Sequence, residues 1–114
     1  MSIDNNIEKY MPLSESTYYI LLILLEPLHG YGVMQKVEAL TGGQVVIGPG
    51  TLYGAFSTLE KEELIMVDHV ETRRKYYKIT EKGKKVLYCQ FVRLEMMTEN
   101  GRELLEGSSG AGIS

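Results

Sequence analysis

Residues 48–79 read GPGTLYGAFSTLEKEELIMVDHVETRRKYYKI, and the hydrophobic period changes partway through. In the first half, Leu52, Ala55, Phe56 and Leu59 recur at i, i+3, i+4 and i+7, the buried stripe of a helix. Pro49 stands at the first helical position, where its preset φ suits the helix and its missing N–H costs nothing. In the second half, Ile65, Val67, Tyr77 and Ile79 alternate with polar or charged neighbours, the period of half-buried strands. Two strands are therefore predicted, over 64–70 and 75–79, around Glu71-Thr72-Arg73-Arg74. No Asn-Gly or Asp-Gly marks a tight primed turn, so the connecting loop is expected to be longer and mobile.

On the N-terminal side, residues 1–12 read as a flexible, irregular arm ending at Pro12. Ser14 is a good N-cap, Glu15 suits the positive end of a helix dipole, and Leu13 can staple onto Tyr18. The helix they open carries Ile20, Leu21, Leu24 and Leu25, is nearly continuous in apolarity, and stops before Pro27. It is the expected central core helix. His29-Gly30-Tyr31-Gly32 turns the chain into a second helix, with Val33, Met34, Val37 and Leu40 on one face. Gly32 lowers helix propensity, which close approach of another helix would offset. Thr41-Gly42-Gly43 ends that helix, and Gln44 to Ile47 reads as a short edge strand.

On the C-terminal side, Thr80 caps a helix predicted from Glu81 to about Leu105, roughly 36 Å long at the α-helical rise. Leu87, Phe91, Leu94, Thr98 and Leu105 trace one seam along it, widened by Val86, Cys89, Met96 and Met97. The expected division is a domain over 13–80, a dimerisation helix over 81–106 and a flexible tail over 107–114. The order helix, helix, short strand, helix, hairpin, long helix makes a mostly α fold with a small β-wing. It is a winged helix-turn-helix with a long C-terminal helix.

A chain of 114 residues supports one domain, and so small a domain often gains further burial by oligomerising. A single cysteine, Cys89, excludes an internal disulfide and fits a reducing compartment. Neither a secretory signal nor a membrane-spanning run is present, so a cytoplasmic protein with no membrane partner is expected. Net charge is −3, but it is unevenly spread. From Arg73 to Lys85 there are seven basic residues against Glu81 alone, +6, which leaves −9 for the rest. An acidic body with one basic concentration suits a surface that meets phosphates.

A helix entering a DNA major groove needs an outer face that is small and polar. Thr51, Gly54, Ser57 and Thr58 provide one opposite the buried stripe, and the amides of Gly50 and Thr51 can hold a phosphate. Arg73, Arg74 and Lys75 at the hairpin tip can grip a minor groove or its flanking phosphates, and the Tyr76 hydroxyl can reach a phosphate. Tyr77 reads as a sheet residue. Lys82, Lys84 and Lys85 read as solvated lysines. Enzyme chemistry has no support: His29 and His69 lie in different elements, Cys89 reads as an inert thiol, and no metal or cofactor motif appears. His29 reads as a turn or packing residue.

Four motifs in order resemble the PadR family of bacterial and archaeal regulators, from about Met11 to Leu94. They are Tyr18 to Gly32 ending His29-Gly30-Tyr31-Gly32, Gly48-Pro49-Gly50-Thr51-Leu52-Tyr53-Gly54, Leu59 to Ile65, and Arg73 to Gly83. The resemblance implies a winged-helix homodimer, mostly a repressor on a palindromic operator, held together by the C-terminal helix. It places Pro49, Gly50, Thr51, Tyr53 and Ser57 on the recognition helix and Arg73 to Tyr76 on the wing; the apolar seam of the last helix puts Leu87, Phe91, Leu94 and Met97 at the expected dimer interface. Some family members release DNA on meeting phenolic acids or hydrophobic drugs, so a hydrophobic or aromatic effector is an expected partner beside double-stranded DNA. The chain departs from drug-sensing relatives in having no tryptophan to sandwich a flat ligand. The competing expectation is a winged-helix protein-interaction module that binds no DNA; the +6 stretch favours DNA.

Overall fold

The computed structural model describes residues 7–107. From Glu15 onward the elements are α1 (Glu15–Ile23), α2 (Gly30–Leu40), α3 (Pro49–Lys61), β1 (Ile65–Glu71), β2 (Arg74–Ile79) and a final long helix, α4 (Glu81–Gly107). Ser14 caps α1 by accepting the Thr17 amide at 3.1 Å. Ile20, Leu21 and Leu24 are fully buried, so α1 is the centre of the core. α2 contributes Val33 and Val37, and α3 contributes Leu52, Phe56 and Leu59, the stripe read from its spacing. Glu63, in the left-handed region at φ 63°, reverses the chain after α3, and the Leu64 amide returns to the Leu59 carbonyl at 2.9 Å.

The wing is tighter than expected. Glu71 pairs with Arg74, leaving only Thr72 and Arg73 in the turn, at φ 51° and 65°. That is the two-residue primed geometry whose twist matches the flanking strands, here made without glycine. Strand twist selects the turn, and two L-residues bear a left-handed conformation costing about 1–2 kcal/mol each. The register shifts between Val67 and His69, a bulge at Asp68. On its other side β2 pairs with the α1–α2 connection: Leu28 and Tyr77 exchange both backbone hydrogen bonds, at 3.0 and 2.9 Å.

Several other expectations are corrected. Gln44 to Ile47 is not a strand; Thr41 Oγ1 donates to the Val37 carbonyl at 2.9 Å and accepts the Val45 amide at 3.0 Å. Those bonds and the burial of Ile47 hold the segment as a loop. The arm is not irregular throughout: residues 7–8 are helical, Ile7 is buried, and Tyr10 Oη donates to Glu62 Oε1 at 2.8 Å. Residues 1–6 of that arm, and 108–114 of the tail, lie outside the described residues. Gly32 is crowded by Leu28, 2.9 Å from where a Cβ would stand, rather than by another helix. The glycine that faces another helix is Gly30, where a Cβ would lie 2.6 Å from the Tyr53 hydroxyl.

Thr80 seats α4 by accepting the Gly83 amide at 2.9 Å while donating to the Glu63 carbonyl at 2.7 Å. Gly83 is buried where a Cβ would run into the Leu64 carbonyl oxygen and the Ile79 side chain. Val86, Leu87 and Gln90 are buried too, and Gln90 Oε1 accepts the Leu13 amide at 2.8 Å. Leu87, expected at the subunit seam, therefore belongs to this chain's own core; at the start of α4 the inward face is fully used by α1 and β2. Beyond Gln90, no residue of α4 is fully buried. Among the described residues, no helix is long and apolar enough to cross a membrane.

Candidate nucleic-acid interface

The outer face of α3 is open. Pro49, Gly50, Thr51, Tyr53, Gly54, Ser57 and Thr58 are all exposed, alternating with the buried stripe as a 3.6-residue period requires. A Cβ added at Gly50 or Gly54 would meet nothing within 4 Å, and neither glycine has positive φ. Neither this chain's packing nor its backbone conformation explains why those positions are bare.

The wing tip carries Arg73, Arg74 and Lys75, all exposed. They share a cleft of about 400 Å³ with Tyr53 of α3, His29, Gly30 and Tyr31 at the start of α2, and Tyr77. The structure thus brings the wing's cations to the same opening as Tyr53, whereas Thr51, Ser57 and Thr58 do not line that cleft. Tyr76 lies beside it, stacked on His69 at 4.4 Å and edge-on to His29 at 5.1 Å. Tyr77 packs beneath, 4.7 Å from the Phe56 ring, and burial raises its pKa.

His29 had only a weak sequence signal, a histidine before a glycine-rich helix start, yet it joins three elements. Its Nδ1 accepts the Gly32 amide at 3.1 Å and caps α2. Its Nε2 stands 3.2 Å from Arg74 Nη1. Burial, and then the neighbouring Arg74 charge, lower its pKa, so the ring is neutral at neutral pH. Tyr31 and Gly30 were likewise missed, because only the tertiary fold brings the start of α2 to the wing.

The basic run does not act as one patch. Lys78 pairs with Asp68 at 3.4 Å, and Lys84 with Glu81 at 3.3 Å. Lys82, expected to be solvated, instead donates to the Glu62 carbonyl at 3.0 Å and lies over the Tyr10 ring. Asp68 is also 2.6 Å from His69 Nδ1; the bond from His69, more than Lys78, holds its pKa below the ordinary carboxylate value. Among the described residues of the run, Arg73, Arg74, Lys75 and Lys85 are exposed and make no ion pair with a carboxylate, and the first three stand together at the wing tip.

The model of the PadR-like transcriptional regulator family matches residues 19–88, more than half of the chain. This protein belongs to the PadR-like family. Its family is one of transcriptional regulators, not of enzymes. Among curated relatives, this PadR-like chain is 31% identical to the Escherichia coli (strain K12) transcriptional regulator YqjI over 71 residues, 62% of this chain and 34% of that protein. It is 35% identical to an uncharacterized 37.1 kDa protein in transposon TN4556 of Streptomyces fradiae, over 70% of this chain and 17% of that one. The chain thus spans about a third or less of the length of these two relatives.

Solved structures agree on the fold. A transcriptional regulator from Clostridium thermocellum superposes with a TM-score of 0.67 at 30% identity, covering 83% of this chain and 89% of that one. A PadR-like transcription factor from Bacteroides fragilis gives 0.67 at 28% identity, over 83% and 94%. The PadR-like chain is accordingly mostly helical, with a two-stranded wing and a long C-terminal helix.

Proposed function

We propose that this PadR-like chain binds duplex DNA sequence-specifically as a homodimer and represses transcription from a palindromic operator. The observation that carries the reading is the bare outer face of α3, where Gly50 and Gly54 are left without any packing reason, next to wing cations that open beside Tyr53. A smooth polar helix lets the backbone approach base edges, with Thr51, Ser57 and Thr58 as hydrogen-bonding groups and Pro49 and Gly50 at the leading end. Arg73, Arg74 and Lys75, with Tyr76 behind them, supply affinity through phosphates or a minor groove.

Dimerisation rests on the far part of α4. Phe91, Met97 and Leu105 are 42%, 54% and 55% exposed, and Leu94 is half-buried, so an apolar surface remains largely uncovered by the described residues. Pairing two copies there would set recognition helices about 34 Å apart, one turn of DNA. A groove of about 390 Å³ adjoins that surface, lined by Tyr18, Phe91 and Leu94 on one hand and Glu95, Thr98, Glu99 and Arg102 on the other, a place for an effector with a hydrophobic or aromatic part to act on the dimer.

Binding to a duplex selected by the purified protein from genomic fragments, measured by fluorescence anisotropy at a series of salt concentrations, tests the reading. The logarithm of affinity should fall with the logarithm of salt at about −0.9 per neutralised phosphate. Absent or salt-insensitive binding would point instead to a protein-interaction module.

A further inference from the structure

We propose that the cleft between the wing and the start of α2 seats one backbone phosphate of the duplex, held jointly by His29 and Arg74. The inference rests on the duplex-binding reading and names the group that occupies this part of it.

A mismatch of donors carries it. A neutral imidazole has one acceptor nitrogen and one N–H, while a guanidinium and a backbone N–H can only donate. Nδ1 of His29 faces the Gly32 amide at 3.1 Å, and Nε2 faces Arg74 Nη1 at 3.2 Å. Only one nitrogen can accept. With Nδ1 capping α2, the proton sits on Nε2 and confronts Arg74, donor against donor. The other tautomer merely moves the conflict to the Gly32 amide. An anionic oxygen lying about 2.8 Å from both Nε2 and Nη1 resolves it, accepting from each while the cap stays intact.

The surroundings suit a phosphate diester. Arg73 and Lys75 flank the same opening, the rings of Tyr31 and Tyr53 line it, and no carboxylate among the described residues does. The half-buried histidine is kept neutral in the free protein, so it reaches the phosphate as a hydrogen-bond donor rather than as a charge. A single phosphate would thereby tie the first helix of the helix-turn-helix to the wing.

The test places one neutral methylphosphonate at each backbone position in turn along the selected duplex. Its affinity is measured for the wild-type dimer, Arg74→Ala and His29→Asn. Asparagine is a good N-cap, so the second variant keeps α2 capped but loses the Nε2–H. At one position per half-site, the lesion should cost the wild type about tenfold in affinity and both variants less than about twofold. The proposal is overturned if, at every position, the lesion costs all three proteins the same. It is equally overturned if inorganic phosphate alone shifts the His29 ring resonances while no lesion is coupled, which makes the occupant a free anion. Failure of the wild type to bind the unmodified duplex removes the duplex-binding reading and this inference together, whereas binding without a coupled lesion removes this inference alone.

Discussion

The two ends of α4 look alike in sequence and behave differently in the structure. From Glu81 to Gln90 the helix buries Gly83, Val86, Leu87 and Gln90; from Phe91 to Gly107 no residue is fully buried, although Phe91, Met96, Met97 and Leu105 continue the apolar pattern. The inner end is finished by this chain's own α1 and β2. The outer end runs on beyond them, and the described residues leave most of its apolar surface exposed. Apolar residues at helical spacing therefore do not say by themselves which part of a helix its own chain will cover. The faces of α3 repeat the contrast: Leu52, Phe56 and Leu59 close the core, while Gly50 and Gly54 stay bare toward the outside.

The largest expected effect breaks the inner end. Gly83→Ala would drive a methyl group into the Leu64 carbonyl and the Ile79 side chain, lowering stability by about 3 kcal/mol. Thermal denaturation measures this, and an unchanged midpoint would mean that α4 is not seated as described. Met97→Glu attacks the outer end instead: the dimer dissociation constant should rise about a hundredfold, while urea denaturation of the monomer changes by less than about 0.5 kcal/mol. Sedimentation showing an intact dimer would place the interface elsewhere. Leu87→Ala should do the reverse, costing about 2–3 kcal/mol of monomer stability without first loosening the dimer.

A smaller change sharpens the contrast on α3. Gly54→Ala places a methyl group in open space within a helix, so it should raise stability by about 0.5–1 kcal/mol while weakening duplex binding. Unchanged binding would show that this face meets no groove. The smallest effect concerns His29, whose folded pKa is lowered by burial and by Arg74. The unfolded chain then binds the proton more readily, so this contribution is present above the unfolded value near 6.5 and is lost as pH falls below it. His29→Asn should flatten that part of the stability profile, as chemical denaturation between pH 5 and pH 8 can record.

The elements were legible wherever a local rule governs them. The α3 stripe, Pro49 at its start, and the caps at Ser14 and Thr80 follow from spacing and from side-chain oxygens that satisfy nearby amides. Legibility ended where a distant partner decides. Thr72 and Arg73 carry no primed-turn signature; their turn follows from pairing Glu71 with Arg74 within a twisted ladder. The β-branched run at Val45 to Ile47 reads as a strand, yet Thr41 takes up the Val45 amide and no strand among the described residues pairs with the run. Lys82 looks like one more surface cation until Tyr10 and the Glu62 carbonyl surround it.

For the candidate interface the division is similar. The small outer face of α3 and the cations of the wing could be read one residue at a time, because each depends on residue type and period. That Arg74 meets His29, 45 positions away, and that Leu87 is core while Phe91 is not, depended on where the α1–α2 connection and α1 come to rest against β2 and α4. Local energetics shape helices and strands through neighbours in the chain. Burial and the pairing of charged groups are settled only when those pieces are packed.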